Sequence, residues 1–231
     1  MGLEALPPTF AATRDSLHRV AEEIVAPARK PHNEIALMQT PGGFGTPPFD
    51  FQDHVVQVRV DGADLVVSED GQERRAGLAT LAEAAAFVGA GLYFDGVPED
   101  RTPLDVDRAG AERLADLYVF GAGALELVRS TAAIADEPSA VILWPEHFDI
   151  AFDAGADDGG GRATFGVSPG DEEHAEPYLY VAPWRERPRS EVWNAHGFAG
   201  AELGYAELRA AEDPYELARE FFNGRRDALG R

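Results

Sequence analysis

The spacing of apolar residues along this chain changes from a helical period to a period of two and back again, twice over. No other feature limits the fold as much, because a 3.6-residue stripe and a two-residue alternation bury different kinds of surface. Leu17, Val20, Ala21, Ile24 and Val25 fall on one helix face, and Pro27 and Pro31 are placed to stop it. A second helix is predicted from Thr80, with Glu83 in the capping-box position. Its buried face is Leu81, Ala84, Ala85 and Val88, and Gly89 and Gly91 end it. The third runs from about Asp107 with Ala111, Leu114, Tyr118, Ala122 and Leu125 inward. The last starts at Asp213-Pro214-Tyr215-Glu216, a cap followed by a first-turn proline, and carries Leu217, Phe221 and Phe222.

Between the helices the alternation is that of strands. Val56, Val58 and Val60 alternate with Gln57 and Arg59, and Asp61-Gly62 turns the chain into Leu65-Val66-Val67. In the second half, Val141 to Leu143 is a short apolar run, and Phe148, Ile150 and Phe152 alternate with Asp149, Ala151 and Asp153. Arg162 to Val167, Tyr178 to Val181 and, more weakly, Phe198 to Leu203 read as further strands. Hairpin-linked strands between helices predict an α+β fold, mainly antiparallel sheet flanked by about four helices, in two halves of similar element order. A single α+β domain over residues 1–231 is expected. Asp153 to Arg162, with three successive glycines, reads as a loose hairpin tip, and Gly170 to Glu176 as a solvated acidic loop.

Composition narrows the partners. The chain has 41 acidic against 20 basic side chains, a formal net charge of -21. Phosphate backbones and anionic lipid are recognised by Lys and Arg displacing counterions, so nucleic acid and membrane surfaces are not expected partners. Cysteine is absent, which removes thiolate metal sites and cysteine nucleophiles. The apolar stretch Leu117 to Val128 is interrupted by Glu126 and falls short of the ~18 residues of a membrane span. The N-terminal residues lack the charged and apolar regions of an export signal, so a cytoplasmic protein is expected.

Three segments carry polar chemistry or imitate it. Thr40-Pro41-Gly42-Gly43-Phe44-Gly45-Thr46-Pro47-Pro48-Phe49 is glycine-rich but has no Gly-Lys-Ser/Thr and no helix start. It reads as tight turns around packed Phe44 and Phe49, with a lid over a pocket as the alternative. Within Trp144-Pro145-Glu146-His147-Phe148-Asp149, an extended chain sends Phe148, Ile150 and Phe152 to one face and His147, Asp149 and Asp153 to the other. A His-x-Asp pair with a distant histidine is the ligand pattern of two-histidine, one-carboxylate iron centres, here His147, Asp149 and His196. Trp193-Asn194-Ala195-His196, preceded by Tyr178, Tyr180 and Trp184, offers ring faces with one imidazole and one carboxamide, suited to a small organic ligand.

Several of these segments, in this order, resemble a bacterial family known as domain of unknown function 5996. The residues concerned are Thr40-Pro41-Gly42-Gly43-Phe44, Val56 to Val67, Leu143-Trp144 with Phe148-Asp149-Ile150-Ala151, Glu176-Pro177-Tyr178, and Trp193-Asn194. The resemblance spans most of the chain on short motifs. It implies one undivided module, carries no activity, and points to Asp149, Trp144 and Trp193 as shared residues.

Three functions stay open on this reading. The first is a small-molecule binder with a cleft bordered by Trp144, His147, Asp149, Trp193, Asn194 and His196. The second is a metal-dependent oxygenase or hydrolase, with iron or another divalent metal on His147, Asp149 and His196. The third is an interaction protein without catalysis. Oligomeric state is not legible.

Overall fold

The computed structural model describes residues 3–32, 34–89, 98–156 and 160–229. Within them the α+β class holds, with two antiparallel sheets and five α-helices among the described residues. The chain folds into two compact units. One comprises Leu6–Tyr118 with Leu143–Phe148, the other Met1–Ala5, Val119–Ile142 and Asp149–Arg231.

The first unit opens with α1 (Phe10–Val20), where Leu17 and Val20 are buried as their spacing predicts. The rest of the predicted stripe is not α-helical: Ala21–Val25 forms a widened π turn and Ala26–His32 a 3₁₀ segment. Pro27 has no N–H to give the ladder, and the helix loosens one turn ahead of it. The same three apolar side chains, Ala21, Ile24 and Val25, are nevertheless fully buried. The sheet of this unit contains β1 (Met38–Thr40), β2 (Gly43–Gly45), β3 (Phe49–Phe51), β4 (His54–Asp61), β5 (Asp64–Glu69) and β6 (Gln72–Gly77). Their order is β1-β2-β4-β5-β6, with β3 also paired to β4. The β4–β5 hairpin turns at Gly62-Ala63, with the glycine at φ 62° in the first turn position. The glycine-rich segment is therefore a pair of short strands around buried Phe44 and Phe49. α2 (Leu81–Val88) starts as predicted, the Thr80 hydroxyl accepting the Glu83 amide at 3.1 Å. Gly91, predicted to help end it, lies outside the described residues.

α3 (Arg108–Arg129) begins after Asp107, whose carboxylate accepts the Gly110 amide at 3.1 Å. Tyr118 closes the first unit's aromatic cluster. Its ring meets Phe148 edge-on at 5.6 Å, and its hydroxyl donates to the Phe148 carbonyl at 2.7 Å. Phe44 packs edge-on to Phe148 at 5.1 Å, and His18 lies parallel to it at 5.0 Å.

The second sheet runs β11 (Ala201–Gly204), β10 (Tyr178–Pro183), β9 (Ala163–Ser168), β8 (Asp149–Ala154), β7 (Ile142–Trp144), all positions the sequence assigned to strands within a few residues. Residues 157–159 of the predicted loose tip lie outside the described residues. Cross-strand register divides the sheet's faces cleanly. Ile150, Val167, Leu179 and Leu203 form one row, and Phe152, Phe165, Val181 and Ala201 another. These rows carry the helices: Gly121 of α3 sits on Ile150 and Val167, and Phe222 of α5 (Pro214–Leu229) lies 6.2 Å from Phe165. α5 is capped as predicted, Asp213 accepting the amides of Tyr215 and Glu216. A further short helix, α4 (Tyr205–Ala210), has no counterpart in the sequence reading. No helix among the described residues is long and apolar enough to cross a membrane.

Candidate functional site

The opposite face of the second sheet holds the rows between. Ala151, Gly166, Tyr180 and Glu202 stand side by side across four strands, and Asp153, Thr164 and Ala182 form the next row. Gly166 makes the arrangement possible. A side chain there would run into the Tyr180 ring, so the ring crosses β9 at the one position without a Cβ. Its hydroxyl thereby reaches β8, two strands away, and donates to the Asp149 carboxylate. Asp149 is only 5% exposed.

The neighbouring residues extend this pair into a network. Tyr178, next along the same face, donates to Asp171 at 2.8 Å. His174 bridges Asp171 and Glu202, at 3.2 and 3.1 Å, and its ring lies 4.3 Å from Tyr178. Glu202 also engages His196, its second carboxylate oxygen lying 2.9 Å from the imidazole Nδ1. Phe198 completes the surface, 6.1 Å from Tyr180 and 6.4 Å from Tyr178, its ring folded back over Gly200. The loop read as merely solvated is thus pinned to the sheet through Asp171 and His174.

Electrostatics keep the hydroxyls as donors. Burial pushes the Tyr180 hydroxyl well above the usual phenol range, and the Asp149 charge pushes the same way. Tyr178 is raised too, by burial and then by Asp171. Burial works against the charge on Asp171, but the Tyr178 hydroxyl and the amides of His174 and Glu173 outweigh it and lower its pKa. Glu202 follows the same pattern: burial is overcome by hydrogen bonds from His196 and His174.

The residues singled out in the sequence have separate fates. Asp149 lies in the network. Asn194 makes two hydrogen bonds to the Glu202 backbone, its amide donating to the carbonyl and its oxygen accepting the N–H, so it pairs with β11 as a strand would. His196 is exposed and tied to Glu202, while Trp193 is 8% exposed in the loop that carries them. Trp144 and His147 belong to the other compact unit.

The metal assignment to His147, Asp149 and His196 presumes a backbone that differs from the one observed. Projection of His147 and Asp149 to one side requires an extended chain between them. Phe148 instead sits at φ 54°, closing a turn in which its amide donates to the Trp144 carbonyl, and β8 begins only at Asp149. His147 and Phe148 are therefore not strand residues, and the predicted alternation starts one residue late. Among the described residues no three His, Asp or Glu side chains gather as a metal site.

Sequence reading passed over Glu202, Asp171 and His174, and placed Phe198 only at the start of a weakly read strand. One signal did point here: a glycine inside the apolar run of β9 marks a place where another group approaches the backbone. Comparison with family models, with curated proteins and with solved structures found no match, so the resemblance to domain of unknown function 5996 rests on its short motifs alone.

Proposed function

We propose that the protein is a cytoplasmic small-molecule binder, and that its ligand lies on the face of the second sheet opposite α3 and α5. One observation carries this reading. Where an antiparallel sheet faces away from its helices, ordinary polar side chains suffice. Here that face carries three partly exposed rings: Tyr178 and Tyr180, each held by a hydroxyl–carboxylate hydrogen bond, and Phe198, packed against both. Rings give a small organic ligand area at low entropic cost, and the surrounding acceptors orient it. The polar border differs from the one expected from sequence: Asp149, Asn194 and His196 contribute directly or through Glu202, and Trp193 supports the loop.

Native mass spectrometry of protein purified gently from its own cells tests the proposal. A retained small molecule is expected in the wild-type spectrum and lost in a Tyr178→Ala, Phe198→Ala double variant that still melts cooperatively. A molecule retained equally by both would place binding elsewhere.

A further inference from the structure

We infer that the ligand of this face is an organic cation, an ammonium or guanidinium group seated at the corner of Tyr178, Tyr180 and Phe198. The inference rests on the binding role proposed above and adds the class of ligand. The three ring centroids are nearly equidistant, at 6.1, 6.4 and 6.1 Å, and Phe198 stands at 82° to Tyr180. A charge placed above such a corner lies within the ~6 Å of every ring at which the negative ring face attracts a cation. Both tyrosine hydroxyls are committed as donors, Tyr178 to Asp171 and Tyr180 to Asp149. What they leave for a ligand is ring surface, made more electron-rich by donation to a carboxylate.

Within the register rows at the rings the charged side chains are carboxylates, and Arg162 stands one row beyond them, over Trp184. Across the face, the register rows hold Asp153, Thr164, Tyr180 and Glu202, with Asp149 beside them and neither lysine nor arginine in those rows. His174 gives an internal example of what the surface accepts. Its flat nitrogen ring lies 4.3 Å from Tyr178 at 32°, with Asp171 and Glu202 at its two nitrogens. A ligand guanidinium or ammonium would meet the same combination of ring faces and carboxylate edges at Tyr180 and Phe198. The net charge of -21 favours approach of cations over anions in general.

Isothermal titration with choline, with agmatine and with 3,3-dimethylbutan-1-ol, the uncharged isostere of choline, tests the class. The expected result is that at least one cation binds about tenfold more tightly than the alcohol, in keeping with the strength of cation–ring attraction. Phe198→Leu, which keeps apolar volume, is expected to weaken the cation about tenfold, and Asp171→Asn, at an exposed position, to weaken it while sparing the alcohol. Equal affinity for alcohol and cation overturns the ligand class, and so does absence of binding by both cations. A companion NMR screen of neutral and anionic fragments separates the two levels. Fragments that shift the Tyr178 and Phe198 signals would leave the binding role standing without the cation, whereas no shift from any compound would remove both.

Discussion

At the level of single residues, the second sheet's polar face depends on two positions that sequence shows only obliquely. Gly166 lets the Tyr180 ring lie across β9, and Phe148 turns the chain so that β8 starts at Asp149. Left-handed backbone at a phenylalanine costs energy, and here the Tyr118 hydroxyl, the His18 stack and the Phe44 edge hold it. Those contacts come from remote parts of the chain. That is why alternation alone put His147 and Asp149 on one face and a metal between them. Asp149, Asn194 and His196 drew notice in the sequence because polar residues stand out beside strands; Asp149 opens β8, whereas the other two bond Glu202 of β11. Tyr180→Phe removes a donor from a buried carboxylate and is expected to destabilise the fold by about 1–3 kcal/mol in urea titrations. The tyrosines also set an alkaline limit. The raised hydroxyl pKa values of Tyr178, Tyr180 and Tyr215 mean that the folded state holds their protons more tightly than the unfolded chain does. Their stabilisation is complete below about pH 10 and is lost as pH rises above it. Absorbance at the tyrosinate band is therefore expected to show Tyr178 and Tyr180, of the six tyrosines, ionising only with unfolding, and Tyr215 later than an exposed tyrosine. A single step near the ordinary phenol pKa, with the protein still folded, would count against the arrangement.

Among the elements, helix ends and hairpins were the most legible. Thr80 with Glu83, and Asp213 ahead of Pro214, announce helix starts through local chemistry that tertiary structure had no reason to override. The β4–β5 hairpin was read from its glycine turn for the same reason. The short strands β1 to β3 and helix α4 were not, because three to six residues carry too little periodicity to declare a type. Loops were least legible: the stretches 169–177 and 193–200 look merely polar, yet both are fastened to one carboxylate. Glu202 takes His174 from the first and His196 from the second, while Asn194 pairs with its backbone. Glu202→Gln is thus expected to speed amide exchange in both loops together, by about tenfold if a charge-assisted hydrogen bond near 1.5 kcal/mol is lost from each. Faster exchange in only one loop, or in neither, would show that the carboxylate does not join them.

Across the molecule, the chain passes between its two compact units after residues 5, 118, 142 and 148, so neither unit is one continuous segment. Periodicity reported the two sheets but not this interleaving, since segment order in sequence carries no record of which segments pack together. Charge acts over the same distances. With 41 acidic against 20 basic residues, self-repulsion opposes the folded state, and salt screens it. The melting temperature is expected to rise between about 0.05 and about 0.5 M sodium chloride; a fall would mean that attractive ion pairs dominate instead. The proposed function stands or falls with the face of the second sheet opposite α3 and α5 as the place where this protein meets a ligand. Aromatic NMR of protein carrying carbon-13 tyrosine and phenylalanine, titrated with the small-molecule fraction of its own cells, examines that face ring by ring. Saturable shifts at Tyr178, Tyr180 and Phe198, with Tyr215 and Phe222 on the helix side unmoved, are the expected outcome. Shifts confined to other rings, with those three unchanged, would contradict it.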